Sequence, residues 1–276
     1  MKTKLDNLAL IGGNNDLPLF AYNSIKKKYK NFVYINISNI NKNKLSGVKH
    51  LYNLKIFELE KCIGILKKYK ISQLCFLGDV ARPNFSELKL DNILSKYISK
   101  LIIASKRGDA QVLDCIIDIF NNEGYQTNSF IDLFPNEYIL DKAFLNISDD
   151  EKNDVNKGIS LLNSLSKYDN AQSCVISNGY VLAIEAAEGT DKMLSRINSI
   201  KKKISRNVVE GTLIKMPKVN QSLKIDLPTV GLTTLEMMYK NKLNILAISK
   251  NSTIVVEKNK FYIALKKYKI KLHLVD

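Results

Sequence analysis

A chain of 276 residues, 45% of them hydrophobic, has material for one large or two ordinary domains, and only 12 Gly and 5 Pro argue against extended disorder. No uncharged apolar run reaches transmembrane length, and the start, Met1 to Asp6, gives way at once to a strand-like run instead of a signal peptide's apolar stretch, so a cytoplasmic protein is expected. A net charge of +15 admits nucleic-acid or membrane partners.

Residues 8–11 form a short apolar run ending at Gly12-Gly13, as a buried parallel strand opening into a tight loop would. Leu17, Phe20, Ala21, Ile25 and Tyr29 lie near helical spacing and predict a helix over 17–29. A second strand is expected over 32–37, and a helix over 57–69 with a stripe of Leu59, Cys62, Ile63 and Leu66. The run 74–77 predicts another strand, stopped by Gly78-Asp79, with helices over 90–104 and 109–123 and Gly124 as a C-cap. This alternation predicts a Rossmann-like α/β domain over 1–130 with a mostly parallel sheet. Pro135, Asn136, Asp141 and Asp149-Asp150 break up the stretch 131–150, which is expected to be a linker.

The stretch 151–276 predicts a second α/β domain with a mixed sheet. Two strand runs, 173–177 and 180–185, flank Asn178-Gly179, a strong hairpin signal. Thr190 is positioned to cap the helix that follows. Strands are expected over 211–216, 243–249, 253–256 and 270–275, with a helix over 258–268.

Lysine far outnumbers arginine, and Asn and Ile are abundant, as compositional bias on solvated surface would produce. The runs Lys26–28 and Lys201–203 accordingly fall on expected polar helix faces. Arginine persists at Arg82, Arg107, Arg196 and Arg206, where its planar fork suits phosphate. Cys62, Cys75, Cys115 and Cys174 are scattered without a C-x-x-C pair, which favours free thiols over disulfides or zinc. His50 and His273 lack neighbours at ligand spacing and read as structural. Walker A, G-x-S-x-G and H-E-x-x-H elements are absent, so any hydrolysis must draw on carboxylates, a hard cation and basic phosphate grips.

Four loops at probable strand ends could supply these groups. Gly12-Gly13-Asn14-Asn15-Asp16-Leu17-Pro18 is either a phosphate-approaching loop at a helix N-terminus or a plain turn. Gly78-Asp79-Val80-Ala81-Arg82-Pro83-Asn84 combines carboxylate, guanidinium and a rigid turn, as a site or as a salt-bridged loop. Lys106-Arg107-Gly108-Asp109 sets two cations beside a helix that Asp109 could cap. Lys224-Ile225-Asp226-Leu227-Pro228-Thr229-Val230-Gly231 places one carboxylate among apolar neighbours, as a metal or water ligand or as a helix-dipole partner. Thr233 and Thr234 beyond it are candidate caps.

Taken in order, these loops resemble those of the LpxI-type UDP-2,3-diacylglucosamine diphosphatase family. The glycine loop ending in Leu17-Pro18, the element from Gly78 to Phe85, the pair Gly108-Asp109 after Arg107, Glu188-Gly189-Thr190-Asp191, and Asp226 to Gly231 carry the likeness. Asp79 stands where the family pattern has Asn, and Asn84 where it has Asp. The resemblance implies a two-domain homodimer of lipid A biosynthesis that holds UDP-2,3-diacylglucosamine between its domains. It further implies Mg2+-dependent hydrolysis to UMP and 2,3-diacylglucosamine 1-phosphate, with water attacking the sugar-side phosphorus. Asp226 becomes the essential carboxylate and a candidate metal ligand. Substrate contacts are implied for Gly12, Gly13, Gly78, Asp79, Arg82, Pro83, Arg107, Asp109, Glu188, Gly189, Thr190, Asp191 and Thr229. An acylated substrate would also bring the lysine-rich surface to an anionic membrane face. The rival readings are a Rossmann-like enzyme of another class, opposed by the missing G-x-G-x-x-G, and a basic nucleic-acid module, for which no recognition motif is present.

Overall fold

Strands that are apolar on both sides need helices on both faces, and the first unit of the computed structural model is built that way. The structure describes residues 7–37, 45, 47–80, 89–140, 142–204, 210–219 and 222–275. They divide into two units, Met1–Phe134 with Ser222–Asp226, and Pro135–Gln221 with Leu227–Asp276.

The first unit runs β1 (Leu8–Gly12), α1 (Leu17–Lys28), β2 (Phe32–Asn36), β3 (Leu51–Asn53), α2 (Leu59–Lys68), β4 (Gln73–Leu77), α3 (Leu94–Ser105), α4 (Asp109–Asn122), β5 (Gln126–Thr127) and α5 (Phe130–Leu133). All strands pair in parallel, in the order β3-β2-β1-β4-β5. Every residue of β1 is buried. Strand alternation sends Ala9, Ile11, Val33, Ile35, Leu74 and Phe76 to one face, where they pack with α2, α3 and α4. On the other face Tyr34 stacks on Tyr22 of α1, and Tyr29 meets Phe134 just beyond α5. Each Leu or Ile so buried contributes about 1.5–3 kcal/mol.

The second unit contains α6 (Pro135–Tyr138), α7 (Asp149–Ser166), β6 (Ser173–Ser177), β7 (Tyr180–Ile184), α8 (Thr190–Ser195), α9 (Ile197–Ile204), β8 (Thr212–Lys215), β9 (Thr229–Val230), α10 (Leu232–Lys240), β10 (Ile245–Ser249), β11 (Ile254–Val255), α11 (Lys258–Tyr268) and β12 (Lys271–Val275). Its main sheet, β12-β10-β8-β6-β7, is parallel from β12 to β8 and antiparallel at β6 and β7. The mixed sheet and the hairpin are as expected, with positive φ at both Asn178 and Gly179. Leu213, Leu246, Ile248 and Leu272 share a core with α8 to α11, while Cys174, Ile176, Ile214 and Ala247 face α7. A two-stranded parallel pair, β9 with β11, stands apart.

The stretch 131–150, expected as a linker, carries α6, most of α5 and the start of α7. Other expectations are corrected. Asp149 and Asp150, expected as breakers, occupy the acidic first turn of α7. Ser148 caps that helix in a capping box with Glu151. Thr190 does not cap α8; it is the first helical residue, after Gly189 at φ 80°. Nor are the lysine runs wholly solvated. Lys201 is buried and donates to the carbonyls of Asn241 and Lys242 at 3.0 and 3.2 Å. Lys28 donates to the Leu133 carbonyl and lies 4.8 Å from the centre of the Phe134 ring. All four cysteines are free thiols, with Cys115 only half-buried. Burial pushes the Cys62 and Cys174 thiols up to about 12.

Candidate active site

In an open parallel sheet the crevice forms at the carboxyl ends of the strands, where strand order reverses. Here β1 is that point, with β2 on one side and β4 on the other. A cavity of about 500 Å³ opens there. Its walls are mostly apolar: Ile11, Leu54 and Phe76 from the sheet end, Val112, Ile116 and Phe120 from α4, and Ile225 from the returning segment. Its polar lining includes Lys55, Glu58, Asp79, Ser105, Asp109 and Asp226. A largely apolar pocket with a few carboxylates suits a ligand that is greasy at one end and polar at the other.

The loops after β1 and β4 clasp one another beside this cavity. Gly13 N donates to Leu77 O at 2.8 Å, and Asn14 N to Asp79 O at 2.6 Å. Asp79 N returns a bond to Asn14 O at 3.2 Å, and Asn15 Nδ2 donates to the Asp79 carboxylate at 3.0 Å. Gly12 and Gly13 are needed for space: a Cβ on Gly12 would strike the Tyr34 ring, and one on Gly13 the Asp79 carbonyl. Gly78 is held at φ 87° against Asn14 O. The amides of Gly13 and Asn14 are thus committed within the protein, and these glycines have a packing reason independent of any phosphate.

Asp226 reaches the cavity on a turn. Its amide donates to Ser222 O at 3.2 Å, as does that of Ile225 at 3.3 Å. Ser129 Oγ pins the turn by donating to Leu223 O at 2.6 Å, and Ile225 packs on the first unit's core. The helix α10 is capped by Gly231, five residues on, so Asp226 is not its N-cap. Thr234 contributes there instead, accepting from Gly231 N at 3.5 Å. Asp109 is likewise not a cap: Gly108 holds that place, and Asp109 is the first residue of α4, where its charge faces the positive end of the helix. Arg107 is exposed and is not among the cavity-lining residues. Arg82 and Pro83 lie outside the described residues.

In the second unit the Glu188–Asp191 element forms a polar cluster of its own. Lys215, buried at the end of β8, donates to Thr190 Oγ1 at 2.8 Å. Thr190 Oγ1 donates to Glu185 at 3.0 Å, and Ser173 Oγ to the same carboxylate oxygen at 2.5 Å. Glu188 pairs with Arg196 at 2.7 Å. Hydrogen bonding at its own backbone, then Arg196, hold the Glu188 carboxyl below the usual range. Thr229 lies in β9, and its hydroxyl donates to Leu227 O at 3.1 Å.

Sequence reasoning missed Glu58 and Ser105 at the cavity, and Lys215, Glu185 and Ser173 in the cluster. Of these, only Lys215 carries a local signal, a cation at the end of the expected strand 211–216. Glu58 accepts from Lys61 at 2.5 Å and from the Lys55 amide, and the Lys61 bond is the main cause holding its carboxyl low. Among the described residues no group of three or more His, Cys, Asp or Glu is placed to enclose a metal. The donors at the cavity are hard carboxylate oxygens. That set fits magnesium, which binds through one or two carboxylates and completes its shell with water and phosphate.

A family model described as the LpxI N-terminal domain matches residues 7–136, and one described as the LpxI C-terminal domain matches 143–273. The protein named UDP-2,3-diacylglucosamine pyrophosphatase LpxI from Caulobacter vibrioides is 32% identical over 185 residues. That alignment takes in 65% of this chain and 66% of the relative's length.

Proposed function

The chain belongs to the LpxI family, and from that premise we propose that it hydrolyses the pyrophosphate of UDP-2,3-diacylglucosamine, releasing UMP and 2,3-diacylglucosamine 1-phosphate. The observation that carries the reading is the cavity of the first unit, where Asp79, Asp109 and Asp226 share one lining with a broad apolar wall. A sugar nucleotide bearing two acyl chains needs both kinds of surface.

Asp226 acts on the reacting end. Its carboxylate, held on a hydrogen-bonded turn, accepts a proton from, or orients, the water that attacks the sugar-side phosphorus. Asp226, with Asp79 or Asp109, would hold a magnesium ion, which when bound neutralises charge on the pyrophosphate oxygens. Ile11, Phe76, Val112 and Phe120 exclude water from the apolar part of the ligand, which strengthens the electrostatics at the polar end. The clasped loops keep Asp79 in place without movement at the moment of reaction. A homodimer belongs to the same proposal, and light scattering in solution checks it.

The test is incubation of the purified protein with UDP-2,3-diacylglucosamine and magnesium in detergent micelles, with products identified by mass spectrometry. UMP and the sugar 1-phosphate in equal amounts are expected. Intact substrate after prolonged incubation, or release of UDP in place of UMP, would overturn the reading.

A further inference from the structure

The helix α3 buries a regular stripe, Leu94, Leu101 and Ala104 with Tyr97 and Ile98 half-buried beside it, against the first unit's core. Two large apolar residues point away from that stripe. Ile103 is 55% exposed and Ile102 39%, and Leu90, just before the helix, is 58% exposed. Scattered exposed apolar residues are ordinary. These are not scattered: the two isoleucines are adjacent in the last turn of a single helix. Exposed around them are the cations Lys96 and Lys100 on α3 and Lys106 and Arg107 at its end, with only the neutral Ser95, Ser99 and Ser105 between them. From Asn92 to Gly108 there is no acidic residue. Asp114 and Asp118 are exposed on α4, so the positive surface is that of α3 and its flanks and not of the helix pair.

We propose that the outer face of α3, with Ile102 and Ile103 at its centre and Lys96, Lys100 and Lys106 around them, is the surface by which this protein docks on an anionic lipid bilayer. Apolar side chains that enter the headgroup boundary, flanked by lysines that reach lipid phosphates, are what an interfacial helix requires. The position of the face supports a lipid as its occupant. Ser105, the last residue of α3, lines the apolar cavity, so the helix that would rest on the bilayer ends where an acyl chain would enter. This last step rests on the proposed substrate; the charge and exposure of the face do not.

The experiment is co-sedimentation with vesicles of phosphatidylcholine alone and of phosphatidylcholine containing phosphatidylglycerol and cardiolipin. Wild type, an Ile102→Gln/Ile103→Gln variant and a Lys96→Gln/Lys100→Gln variant are compared. Binding is expected for the anionic vesicles only and weakens with salt. The isoleucine variant should lose about tenfold or more in affinity, and the lysine variant a similar factor that vanishes in high salt. Both should keep the wild-type melting temperature and the wild-type rate on micellar UDP-2,3-diacylglucosamine. Unchanged vesicle binding by the isoleucine variant overturns the proposal. So does a fall in oligomeric state on light scattering, which would assign the face to a second copy of the chain. Should wild type release no UMP from micelles, the hydrolase reading fails while the vesicle result still decides the docking face.

Discussion

A Cβ placed on Gly13 would stand 2.4 Å from the carbonyl oxygen of Asp79, a separation that real side chains do not tolerate. The loop after β1 and the loop after β4 therefore meet main chain to main chain, and Asp79 owes its position to the absence of a side chain at 13. Gly13→Ala must part them, breaking the Asn14–Asp79 bonds. The expected cost is about 1–3 kcal/mol in denaturant unfolding, with a loss of turnover larger than the stability change explains. Gly64 is the control. It is exposed in the interior of α2 with open space around its Cα, and Gly64→Ala should add about 0.5–1 kcal/mol. Equal unfolding midpoints for the two variants would show that the loops yield freely.

The Glu151 carboxylate ties two distant pieces of the second unit together. It closes the capping box of α7 with Ser148 and accepts from Lys271 of β12 at 2.6 and 2.8 Å. Burial pushes its carboxyl up, but the bonds from Lys271 and Ser148 outweigh burial and leave it below its usual value of 4.5. A depressed carboxylate contributes stability that is present above its unfolded value and is lost as pH falls through its folded value. Glu151→Gln should cost roughly 0.5–2 kcal/mol at neutral pH. The gap from wild type should close as pH drops below 4.5. A gap constant from pH 7 to pH 3 would remove the charge from the account.

Lys201 has the opposite sign. Burial, then the neighbouring Lys242, lower its ammonium from 10.5 to about 8. The unfolded chain then binds the proton more tightly than the folded one, so stability rises with pH between about 8 and 10.5 and is flat below 8 as far as this group is concerned. Lys201→Met removes that titration. Relative to this variant, wild type should gain about 1–2 kcal/mol between pH 8 and pH 10. Parallel stability curves for the two proteins would mean that Lys201 titrates like a surface lysine.

The parallel sheet was legible because fully buried strands show as continuous apolar runs, as in 8–11 and 74–77, each closed by glycine. α7 was hidden although its cap is written out as Ser148-Asp149-Asp150-Glu151. Its first-turn acids look like breakers beside a weak apolar period, whereas a helix N-terminus favours them. The short strands β3 and β5 have too few residues for a period to show. Asp226 stood out by its own neighbours. That its turn packs with the first unit did not, because the hydrogen bond that holds it joins Ser129 to Leu223 across 94 positions. Lys201 was hidden for a similar reason: within a lysine run nothing local marks the one residue that meets the end of α10. The cavity wall is assembled from the ends of β1 to β4, from α2, α3 and α4 and from the returning turn, none of which carries a local signature of it.

Asp226→Asn is the sharpest test of the site. Asparagine matches aspartate in shape, and the residue-226 amide still donates to Ser222 O. Ile225 and the Ser129–Leu223 bond hold the segment that leads into the change. What disappears is a negative charge and a proton acceptor facing the cavity. If that charge serves the attacking water, its loss falls on the transition state and not on the bound substrate. The expected result is a fall of about 10²–10⁴ in kcat, with KM within a few fold of wild type and an unchanged melting temperature. Raising the magnesium concentration separates the two roles open to the carboxylate. A metal ligand should show partial recovery at high magnesium, because weakened binding is overcome by mass action, while a general base should show none. A variant that melts at the wild-type temperature and turns over within threefold of the wild-type rate would take Asp226 out of the chemistry.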